Sequence, residues 1–420
     1  MTVGVIGAGA AGIIAGAFAA AGNCDTEILD GNEKVGKKLF LTGKGRCNIT
    51  NSADFEEFIK AIPHNGSFLY GAFRRFFSGD IIRILNSQGV KTKLERGGRY
   101  FPESDKSSDV IRALTTYAQK CGAKISLHSR VTDINYDDPG FTVSVEGKTP
   151  RHYDKLIIAT GGRSYPSTGS TGSGYTLAQK LGHTVMPAKP SLIPFVTNEK
   201  WVGTLAGLSL KNVVLKAYTP ADVKNKINKG KKCKPRYEEL GEMLFTHTGV
   251  SGPLVLSASS FLADDPAGAL LEIDLKPALS HEKLDARVLR DFEKYAHKQI
   301  KNAMHELLPQ RLIEPVLEIA DVKDDISVDN ITREQRLSIV STLKSLKMTV
   351  CRALPIEEAI ITRGGVCVKE INPATMESRL VPGLYFAGEV IDADACTGGY
   401  NLQIAWSTGA VAGMSAAEYE

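Results

Sequence analysis

Residues 2–30 read TVGVIGAGAAGIIAGAFAAAGNCDTEILD, and this stretch decides the fold. A short apolar run leads into Gly7, Gly9 and Gly12, which have the spacing G-x-G-x-x-G. An alanine-rich helical pattern follows, and a second apolar run ends at Asp30. In a dinucleotide-binding unit, the first glycine permits a tight turn, the second lets a pyrophosphate approach the backbone, and the third lets helix and strand pack closely. The stretch therefore predicts strand, glycine turn, helix and strand around a bound dinucleotide.

Asp30 and the start of the helix complete this predicted cofactor site. Asp30 lies 18 residues after Gly12, close to the roughly 20 residues at which an acid binds the ribose hydroxyls of a dinucleotide. The helix N-terminus presents free N–H groups and the positive end of a dipole to the phosphates. A nucleotide fold that holds no nucleotide is the alternative.

The apolar character of residues 3–22 raises a second alternative, a membrane span or a signal peptide. A signal peptide needs a basic n-region, and only Met1 and Thr2 precede the run. Its six glycines would also make a poor span. We therefore expect a buried helix of a soluble protein and no membrane span.

Length and composition set the remaining expectations. A chain of 420 residues is too long for one ordinary core, so two or three domains are expected. The 51 basic and 47 acidic residues leave a net charge of +4, which does not indicate a nucleic-acid partner. The seven cysteines contain no C-x-x-C pair, which is typical of reduced thiols in a cytoplasmic protein and predicts no metal site.

A basic, glycine-rich loop follows the predicted ribose acid. Residues 32–51 read NEKVGKKLFLTGKGRCNITN. Positive charge and backbone freedom just after the ribose acid are suited to reaching phosphates and lining a cofactor channel. An ordinary solvated loop is the alternative. The charge comes from these side chains: Lys34, Lys37, Lys38, Lys44 and Arg46.

Part of this loop, TGKGRCNITN (42–51), resembles the signature of a bacterial and archaeal family of FAD-dependent oxidoreductases. Its members are described as aminoacetone-oxidase-like flavoproteins or as flavin-dependent reductases, including bile-acid-type enone reductases. Further blocks resemble the family in the same order along nearly the whole chain. They are YFPESDKSSDVIRAL (100–114), LIIATGGRSYPSTGSTGSGYTLAQKLGH (156–183), GEMLFTHTGVSGPLVL (241–256) and residues 361–409.

Two strands of the predicted fold run into glycines, where a parallel sheet opens its ligand crevice. Residues 156–159 lead into Thr160 and Gly161, although a plain turn at the strand end is the alternative. Residues 383–389 read GLYFAGE, and Gly388 and Glu389 resemble the pair that contacts the ribityl chain and pyrophosphate in such enzymes.

The last helix is predicted over residues 404–417 and opens with GGYNLQ (398–403). A helix N-terminus aimed at the flavin stabilises negative charge on the reduced ring. We assign that function to residues 401–404, and a simple helix cap by Asn401 is compatible with it.

The resemblance implies FAD as the cofactor, and it adds a backbone contact at Val131 to the contacts argued above. Some of these residues follow from the fingerprint, others from the basic loop, the strand ends and the last helix. The predicted cofactor-binding residues are Gly7, Gly9, Ala10, Ala11, Gly12, Asp30, Lys38, Gly43, Arg46, Cys47, Asn48, Val131, Thr160, Gly161, Gly388, Glu389, Gly399, Asn401, Leu402 and Gln403.

The predicted fold class is α/β, a doubly wound Rossmann-like FAD domain with an inserted β-plus-helical domain. The prolines of PAKPSLIP (187–194) indicate a boundary. We predict the first part of the FAD domain over 1–193, a substrate domain over 194–350, and the second part over 351–420. Within the insertion, 194–277 is predicted β-rich and 281–347 helical. The loop GSTGSG (169–174) is predicted to approach the flavin or the substrate closely.

No catalytic constellation is evident in the sequence. His247 and Tyr165 are candidates for relaying protons near the ring, although such residues are more often packed or hydrogen-bonded. Cys47 and Cys396 fall in flavin-facing motifs but form no recognisable redox pair, and buried small residues are the simpler interpretation. There is one dinucleotide fingerprint, so NAD(P)H is expected only as a transient electron donor.

Three functions remain open. The first is a reductase that takes electrons from NAD(P)H and reduces a small or hydrophobic conjugated acceptor. The second is an oxidase that removes hydride from a small amine and forms hydrogen peroxide. The third is an FAD-bearing module that binds a partner or RNA through the lysine-rich residues 224–234, which are more simply a solvated hairpin tip. The expected partner is a small-molecule substrate, and the oligomeric state is left open.

Overall fold

The structure, a computed structural model, describes residues 1–231 and 233–418. It divides into two compact units, of which the first combines Met1–Ser191 with Pro355–Glu420 and the second is Leu192–Leu354. The first unit is therefore built from both ends of the chain. Each unit has its own apolar core.

Strands occur in both units. In chain order, the described residues form β1 Thr2–Ile6, β2 Asp25–Leu29, β3 Thr50–Asn51, β4 Thr92–Glu95, β5 Arg99–Pro102, β6 Lys124–Ser126, β7 Val131–Tyr136, β8 Phe141–Val145, β9 Arg151–Tyr153, β10 Lys155–Ile158, β11 Val185–Ser191, β12 Phe195–Thr197, β13 Ser209–Tyr218, β14 Tyr237–Phe245, β15 Gly249–Ser251, β16 Leu270–Asp274, β17 Leu346–Ala353, β18 Ile361–Val366 and β19 Leu384–Phe386.

Helices separate many of these strands. The α-helices of the described residues are α1 Ala10–Ala21, α2 Lys37–Leu41, α3 Phe55–Lys60, α4 Tyr70–Arg75, α5 Ser78–Ser87, α6 Ser107–Lys120, α7 Ser173–Lys180, α8 Trp201–Thr204, α9 Pro220–Asn225, α10 Pro253–Leu262, α11 His281–Lys294, α12 Ile300–Met304, α13 Gln310–Ile319, α14 Arg333–Lys344 and α15 Tyr400–Ala417. Short 3₁₀ turns lie at Thr42–Gly45, Gly66–Leu69, Pro166–Thr168, Ile227–Lys229, Val328–Asn330, Ile356–Glu358, Val368–Glu370 and Gly388–Val390.

A five-stranded parallel sheet with the order β19-β10-β1-β2-β6 forms the centre of the first unit. Val3 and Val5 of β1 are fully buried, as expected for a parallel sheet that is covered on both faces. All carboxyl ends of these strands meet at one edge, which is where open sheets of this kind bind ligands. The predicted α/β fold with a Rossmann-type parallel sheet is confirmed.

Helices α1 and α15 pack so closely that only glycine fits at their contact. A Cβ atom on Gly409 would lie 2.4 Å from the carbonyl oxygen of Ala11, and one on Gly413 would lie 2.2 Å from that of Ala15. Helix α15 begins at Tyr400, four residues before the predicted start. Within residues 1–231 and 233–418, no helix combines the length and apolar character that crossing a bilayer requires.

Smaller sheets complete the first unit. Strands β3, β5 and β4 form one antiparallel sheet, β7, β8 and β9 a second, and β11 with β18 a third. The inward residues Phe141, Val143 and Val145 of β8 are buried, in agreement with the alternation of the sequence.

The second unit contains a closed barrel with the strand order β12-β15-β14-β13-β16-β17. Phe195, Phe245 and Leu271 are among its fully or almost fully buried side chains. Helices α11 to α14 lie between β16 and β17 in the chain, and apolar residues such as Leu284 and Val288 join them to the same core. Closure of the barrel leaves no unpaired sheet edge in this unit's main sheet.

Candidate functional site

The three glycines of the turn between β1 and α1 differ in the space around them that a side chain could occupy. A Cβ on Gly7, whose φ is +105°, would lie 2.5 Å from the carbonyl oxygen of Ala159. A Cβ on Gly12 would lie 1.8 Å from the carbonyl oxygen of Gly7. At Gly9, no heavy atom of the described residues other than those of Gly9 and its two chain neighbours lies within 4 Å of the Cβ position. Protein atoms therefore fill the space beside Gly7 and Gly12, while the space beside Gly9 is open for a phosphate.

The Asp30 carboxylate is held across the same turn. Its Oδ2 accepts a hydrogen bond from the backbone N–H of Ala8 at 2.7 Å, and its Oδ1 accepts one from that of Asn32 at 2.8 Å. A carboxylate has about four acceptor positions, so capacity remains for ribose hydroxyls. Asp30 is only partly buried.

Lys38 and Glu389, which were predicted as separate cofactor contacts, form an ion pair with each other. The Nζ of Lys38 lies 2.6 Å from Oε2 of Glu389 and donates to Oγ of Ser164 at 2.7 Å. Glu389 Oε1 accepts a hydrogen bond from the backbone N–H of Thr362 at 2.8 Å. Ser164 and Thr362 had no local signal in the sequence, because the Lys38–Glu389 pair that they contact joins residues 351 positions apart.

Arg46 is engaged by the antiparallel sheet that follows it. Its guanidinium forms hydrogen bonds with Glu95 and with Asp105, whose Oδ1 is 2.7 Å from Nε. The guanidinium carbon also lies 4.1 Å from the centre of the Phe101 ring. These contacts tie the basic loop to β4 and β5, and they occupy donors that the prediction had offered to the cofactor.

The loop itself has an unusual backbone. Gly43, Lys44 and Cys47 have φ values of +59°, +59° and +62°. This conformation is uncommon for residues with a side chain and is often found at functional sites. Cys47 is fully buried, and burial raises the pKa of its thiol to about 12. The thiol is therefore protonated at neutral pH, which favours a packed residue over a redox group.

The carboxyl end of β10 meets the loop predicted over residues 169–174. Gly161 has a φ of +76°. A Cβ on Gly174 would lie 2.0 Å from Oγ1 of Thr160, so the loop closes tightly against the strand end. The side chain of Asn32 donates to the carbonyl of Thr168 at 3.1 Å and so links the loop to the ribose-acid segment.

The polar side chains at the start of α15 form hydrogen bonds with other residues of the protein. Asn401 accepts a hydrogen bond from the backbone N–H of Ala395 at 2.9 Å and donates to its carbonyl at 2.7 Å. Gln403 Oε1 accepts from the hydroxyl of Thr50 at 2.7 Å. What α15 can offer a ligand is therefore its N-terminal backbone N–H groups and the positive end of its dipole, around the partly exposed Leu402.

Gly399 shows how tightly this helix start is held. Its φ is +97°, and a Cβ there would lie 2.5 Å from the carbonyl oxygen of Thr50. Gly388 is placed similarly, since a Cβ on it would lie 2.7 Å from the Cβ of Ala11. Val131 begins β7 and is buried, and its backbone contact to the cofactor stays a prediction.

The two catalytic candidates lie in different units. Tyr165 has a φ of +51° just before the turn Pro166–Thr168 of the first unit and is partly exposed. His247 is exposed between β14 and β15 of the second unit. The proton-relay assignment of either residue stays a prediction.

Two further polar atoms fit the demands of FAD. Among the described residues, Asn48 Oδ1 and Thr160 Oγ1 are buried and have no hydrogen-bond partner. Buried polar atoms normally have partners, so a ligand at the sheet edge would satisfy them. FAD supplies hydride chemistry when bound. The residues described here would hold its phosphates, its ribose and its ring. Within the described residues, no group of three or more acidic, His or Cys side chains could hold a metal ion.

The glycine turn, the acid after β2 and the crevice at the carboxyl edge define a flavoprotein with a Rossmann-type FAD fold. A family model described as HI0933-like protein Rossmann domain matches residues 1–415, and the chain belongs to this family. The predicted FAD-dependent oxidoreductase family is thereby confirmed.

Relatives match over almost the whole chain. The protein is 31% identical over 409 residues to a ribosomal RNA dihydrouridine synthase of Escherichia coli (strain K12), covering 96% of this chain and 95% of the relative. It is 30% identical over 425 residues to a 3-dehydro-bile acid delta(4,6)-reductase of Clostridium scindens, covering 99% of both chains.

A solved structure shows the same fold. The open conformation of a flavocytochrome c3 fumarate reductase matches with a TM-score of 0.50 and 15% identity, covering 99% of this chain and 78% of that one.

Proposed function

We propose that this protein is an NAD(P)H-linked, FAD-dependent reductase of a carbon–carbon double bond conjugated to a carbonyl group. The observation that carries the proposal is that two differently named relatives, both matched end to end, act on the same kind of bond. Forming dihydrouridine saturates a bond conjugated to a uracil carbonyl. A delta(4,6)-reductase of a 3-dehydro-bile acid saturates bonds conjugated to the 3-oxo group. The bond type is therefore the property we transfer to this chain.

The chemistry of such a reduction matches what the first unit offers. Hydride transfer to the carbon β to the carbonyl leaves negative charge on the carbonyl oxygen, and the flavin itself carries negative charge when reduced. A helix N-terminus stabilises such charge, and α15 presents its N-terminus without acidic residues in its first turn. The sequence has one dinucleotide fingerprint, so we propose that NAD(P)H reduces the flavin first and leaves before the acceptor reacts. Assignment of residues 194–350 to acceptor binding is part of this proposal.

The test is anaerobic stopped-flow spectroscopy of the FAD-loaded protein. Mixing with NADH or NADPH should bleach the flavin band near roughly 450 nm, a property of the cofactor. The reduced protein should then be reoxidised by an acceptor that contains an enone or a uracil ring, and mass spectrometry should find two added hydrogens. Absence of bleaching with both nucleotides, together with peroxide formation from a small amine, would replace this proposal with the oxidase.

A basic segment of the second unit favours a second candidate, in which the uracil ring belongs to RNA. The connection between β13 and β14 is rich in lysine, although Lys232 lies outside the described residues. Lys226 and Arg236 form ion pairs with Asp222. Burial alone would raise the pKa of Asp222, but hydrogen bonds from Thr219 and Lys226 lower it to about 2. The exposed lysines of the described residues of this connection that lie outside the Asp222 ion pairs are Lys224, Lys229, Lys231 and Lys234.

Salt dependence separates this candidate from a small-molecule reductase. Each phosphate contact contributes about −0.9 to the slope of log K against log salt for duplex DNA, and about −0.7 for single strands. Changing the four exposed lysines to Gln should therefore flatten the slope for a ribosomal RNA fragment by roughly 2–4. A matched control changes four exposed lysines elsewhere in the same unit and should leave the slope unchanged: Lys283, Lys301, Lys323 and Lys347. Equal slopes for both variants would exclude this segment as an RNA contact.

A further inference from the structure

Two buried acids lie between the predicted flavin contacts of β19 and those of α15. Asp394 is five residues after Glu389 and five residues before Gly399. Asp392 is 4% exposed and Asp394 is fully buried. Their segment leaves the carboxyl end of β19, the edge at which open parallel sheets bind ligands. Neither acid is used by the predicted FAD site.

The Asp394 carboxyl has one oxygen satisfied and one not. Its Oδ2 accepts a hydrogen bond from Oγ of Ser191 at 2.6 Å. Its Oδ1 is buried and has no hydrogen-bond partner among the described residues. In the neutral form of Asp394 with Ser191 donating to Oδ2, the proton is on Oδ1. In that form Oδ1 is a donor for which the described residues provide no acceptor.

Burial also disfavours the charged form of Asp394. Loss of solvent contact raises the pKa of Asp394, and the nearby Asp392 adds to the effect. Hydrogen bonding from Ser191 and the charges of Arg363 and His64 oppose it, but the net direction is upward. A carboxyl in its neutral form can donate a hydrogen bond or a proton at a reacting centre.

Asp392, unlike Asp394, has several hydrogen-bonding neighbours. Its Oδ2 lies 3.0 Å from Nε2 of His64 and 3.1 Å from Nδ2 of Asn65, which also donates to its carbonyl at 2.7 Å. The His64 side chain is 32% exposed, and His64 pairs with Asp394 through an isolated β-bridge. An imidazole in contact with solvent thus lies beside the segment that carries the buried acid.

We propose that Asp394 is the proton donor of the reductase and that His64, oriented by Asp392, returns the proton from solvent. The inference rests on the proposed function. FAD, when bound and reduced with two electrons by a nicotinamide, would supply the hydride for the new C–H bond at the carbon β to the carbonyl. The π pair of the double bond moves onto the α carbon and the carbonyl oxygen. The Oδ1–H bond of Asp394 then breaks, its proton goes to the α carbon, and Asp394 is left as a carboxylate until it is reprotonated.

The first test needs neither nicotinamide nor acceptor. An infrared difference spectrum between the FAD-loaded protein and its Asp394→Asn variant at neutral pH should contain the carbonyl-stretch band of a protonated carboxylic acid. The matched variant Asp392→Asn should keep that band. Ser191→Ala should shift the band, because the carbonyl oxygen loses its hydrogen bond. If Asp394→Asn does not fold, this shift tests whether Asp394 is protonated. Loss of a carboxylate signal in place of the acid band would overturn the proposal.

The second test separates the two half-reactions. In Asp394→Asn, flavin bleaching by NAD(P)H should stay within about twofold of the wild type. Reoxidation should slow by at least about 100-fold, in the range expected for a lost general acid. The acceptor is ribosomal RNA or 4-androstene-3,17-dione, whichever reoxidises the wild-type protein.

His64→Gln should slow only reoxidation, and added imidazole should restore it, because the site of the ring is partly open to solvent. Equal loss in both half-reactions, or an unchanged reoxidation rate in Asp394→Asn, would refute Asp394 as the donor. A protein that no acceptor reoxidises would instead refute the proposed function, while the infrared result would still decide the protonation of Asp394.

Discussion

Helices α1 and α15 both begin at the edge of the sheet where the cofactor is predicted, but their N-termini are built differently. The start of α1 is formed by backbone atoms, since Gly9 has open space beside it and Gly12 packs against the carbonyl of Gly7. At α15 the helix start is held by side chains, with Asn401 bound to Ala395 and Gln403 bound to Thr50. A phosphate site can therefore be encoded by a short local motif, whereas the flavin end depends on residues that are distant in the chain.

The largest effect is expected where the α1 turn has no space. Gly12→Ala would place a Cβ 1.8 Å from the Gly7 carbonyl oxygen. Overpacking against backbone should lower the free energy of unfolding by about 3 kcal/mol or more. Urea denaturation of the FAD-free protein measures the change. Gly9→Ala is the control and should stay within about 0.5 kcal/mol, so equal stability of the two variants would contradict the assigned packing.

A bulky residue at Gly9 should separate binding from folding. Gly9→Leu fills open space, so the FAD-free protein should fold with nearly unchanged stability. We expect its FAD affinity to fall by at least about 100-fold, which corresponds to about 2.7 kcal/mol. Equilibrium dialysis with FAD measures the affinity. A variant that purifies folded and fully yellow would show that the phosphates do not lie at Gly9.

At α15 the sensitive groups are side chains. Asn401→Ala removes hydrogen bonds to both backbone groups of Ala395 and to the carbonyl of Cys396. Leaving such groups without partners should lower the free energy of unfolding by about 1–3 kcal/mol. Thermal and urea unfolding measure the change, and the solvent-exposed Thr132→Val is a control expected within about 0.5 kcal/mol. An unchanged stability in Asn401→Ala would mean that the start of α15, like that of α1, does not depend on side-chain hydrogen bonds.

Asp394, just before α15, should make stability depend on pH. Because burial raises the pKa of Asp394, its stabilising contribution is complete below the pKa of the unfolded chain and is lost as pH rises through the folded value. Asp394→Asn should therefore gain stability relative to the wild type as pH rises from acidic to neutral. Unfolding free energies across that range measure the difference. A difference that is independent of pH would contradict a raised pKa.

The smallest effect is expected at Cys47, in the loop that Arg46 ties to β4 and β5. The pKa of the buried thiol is raised to about 12, so the reactive thiolate is scarce until the pH approaches that value. Iodoacetamide at pH 8 should modify the exposed Cys351 and leave Cys47 intact in the folded protein. Mass spectrometry of both peptides checks this. Comparable labelling of the two would reopen a redox function for Cys47.

Features encoded by a short local motif were predicted from the sequence, whereas contacts between residues distant in the chain were not. The βαβ order, the three glycines and the acid at residue 30 were recognised because they lie within 29 consecutive residues, 2–30. The pairing of Lys38 with Glu389 was not foreseen, because the two residues lie 351 positions apart. Asp392 and Asp394 were passed over although acids in the apolar run VIDADA (390–395) were a visible signal.

The sequence by itself determined the Rossmann-type unit, because backbone conformation and helix dipoles depend on local residue types, and the resemblance of its motifs indicated the family and FAD. Only the tertiary structure decided which side chains remain available to a ligand. Arg46, Asn401 and Gln403 appear in the predicted site, yet their hydrogen-bonding groups are engaged by residues of the protein. Conversely, Asp394 has one oxygen for which the described residues provide no partner. The physical reason is that polar groups are satisfied by whatever folding brings beside them, and sequence distance does not report that proximity.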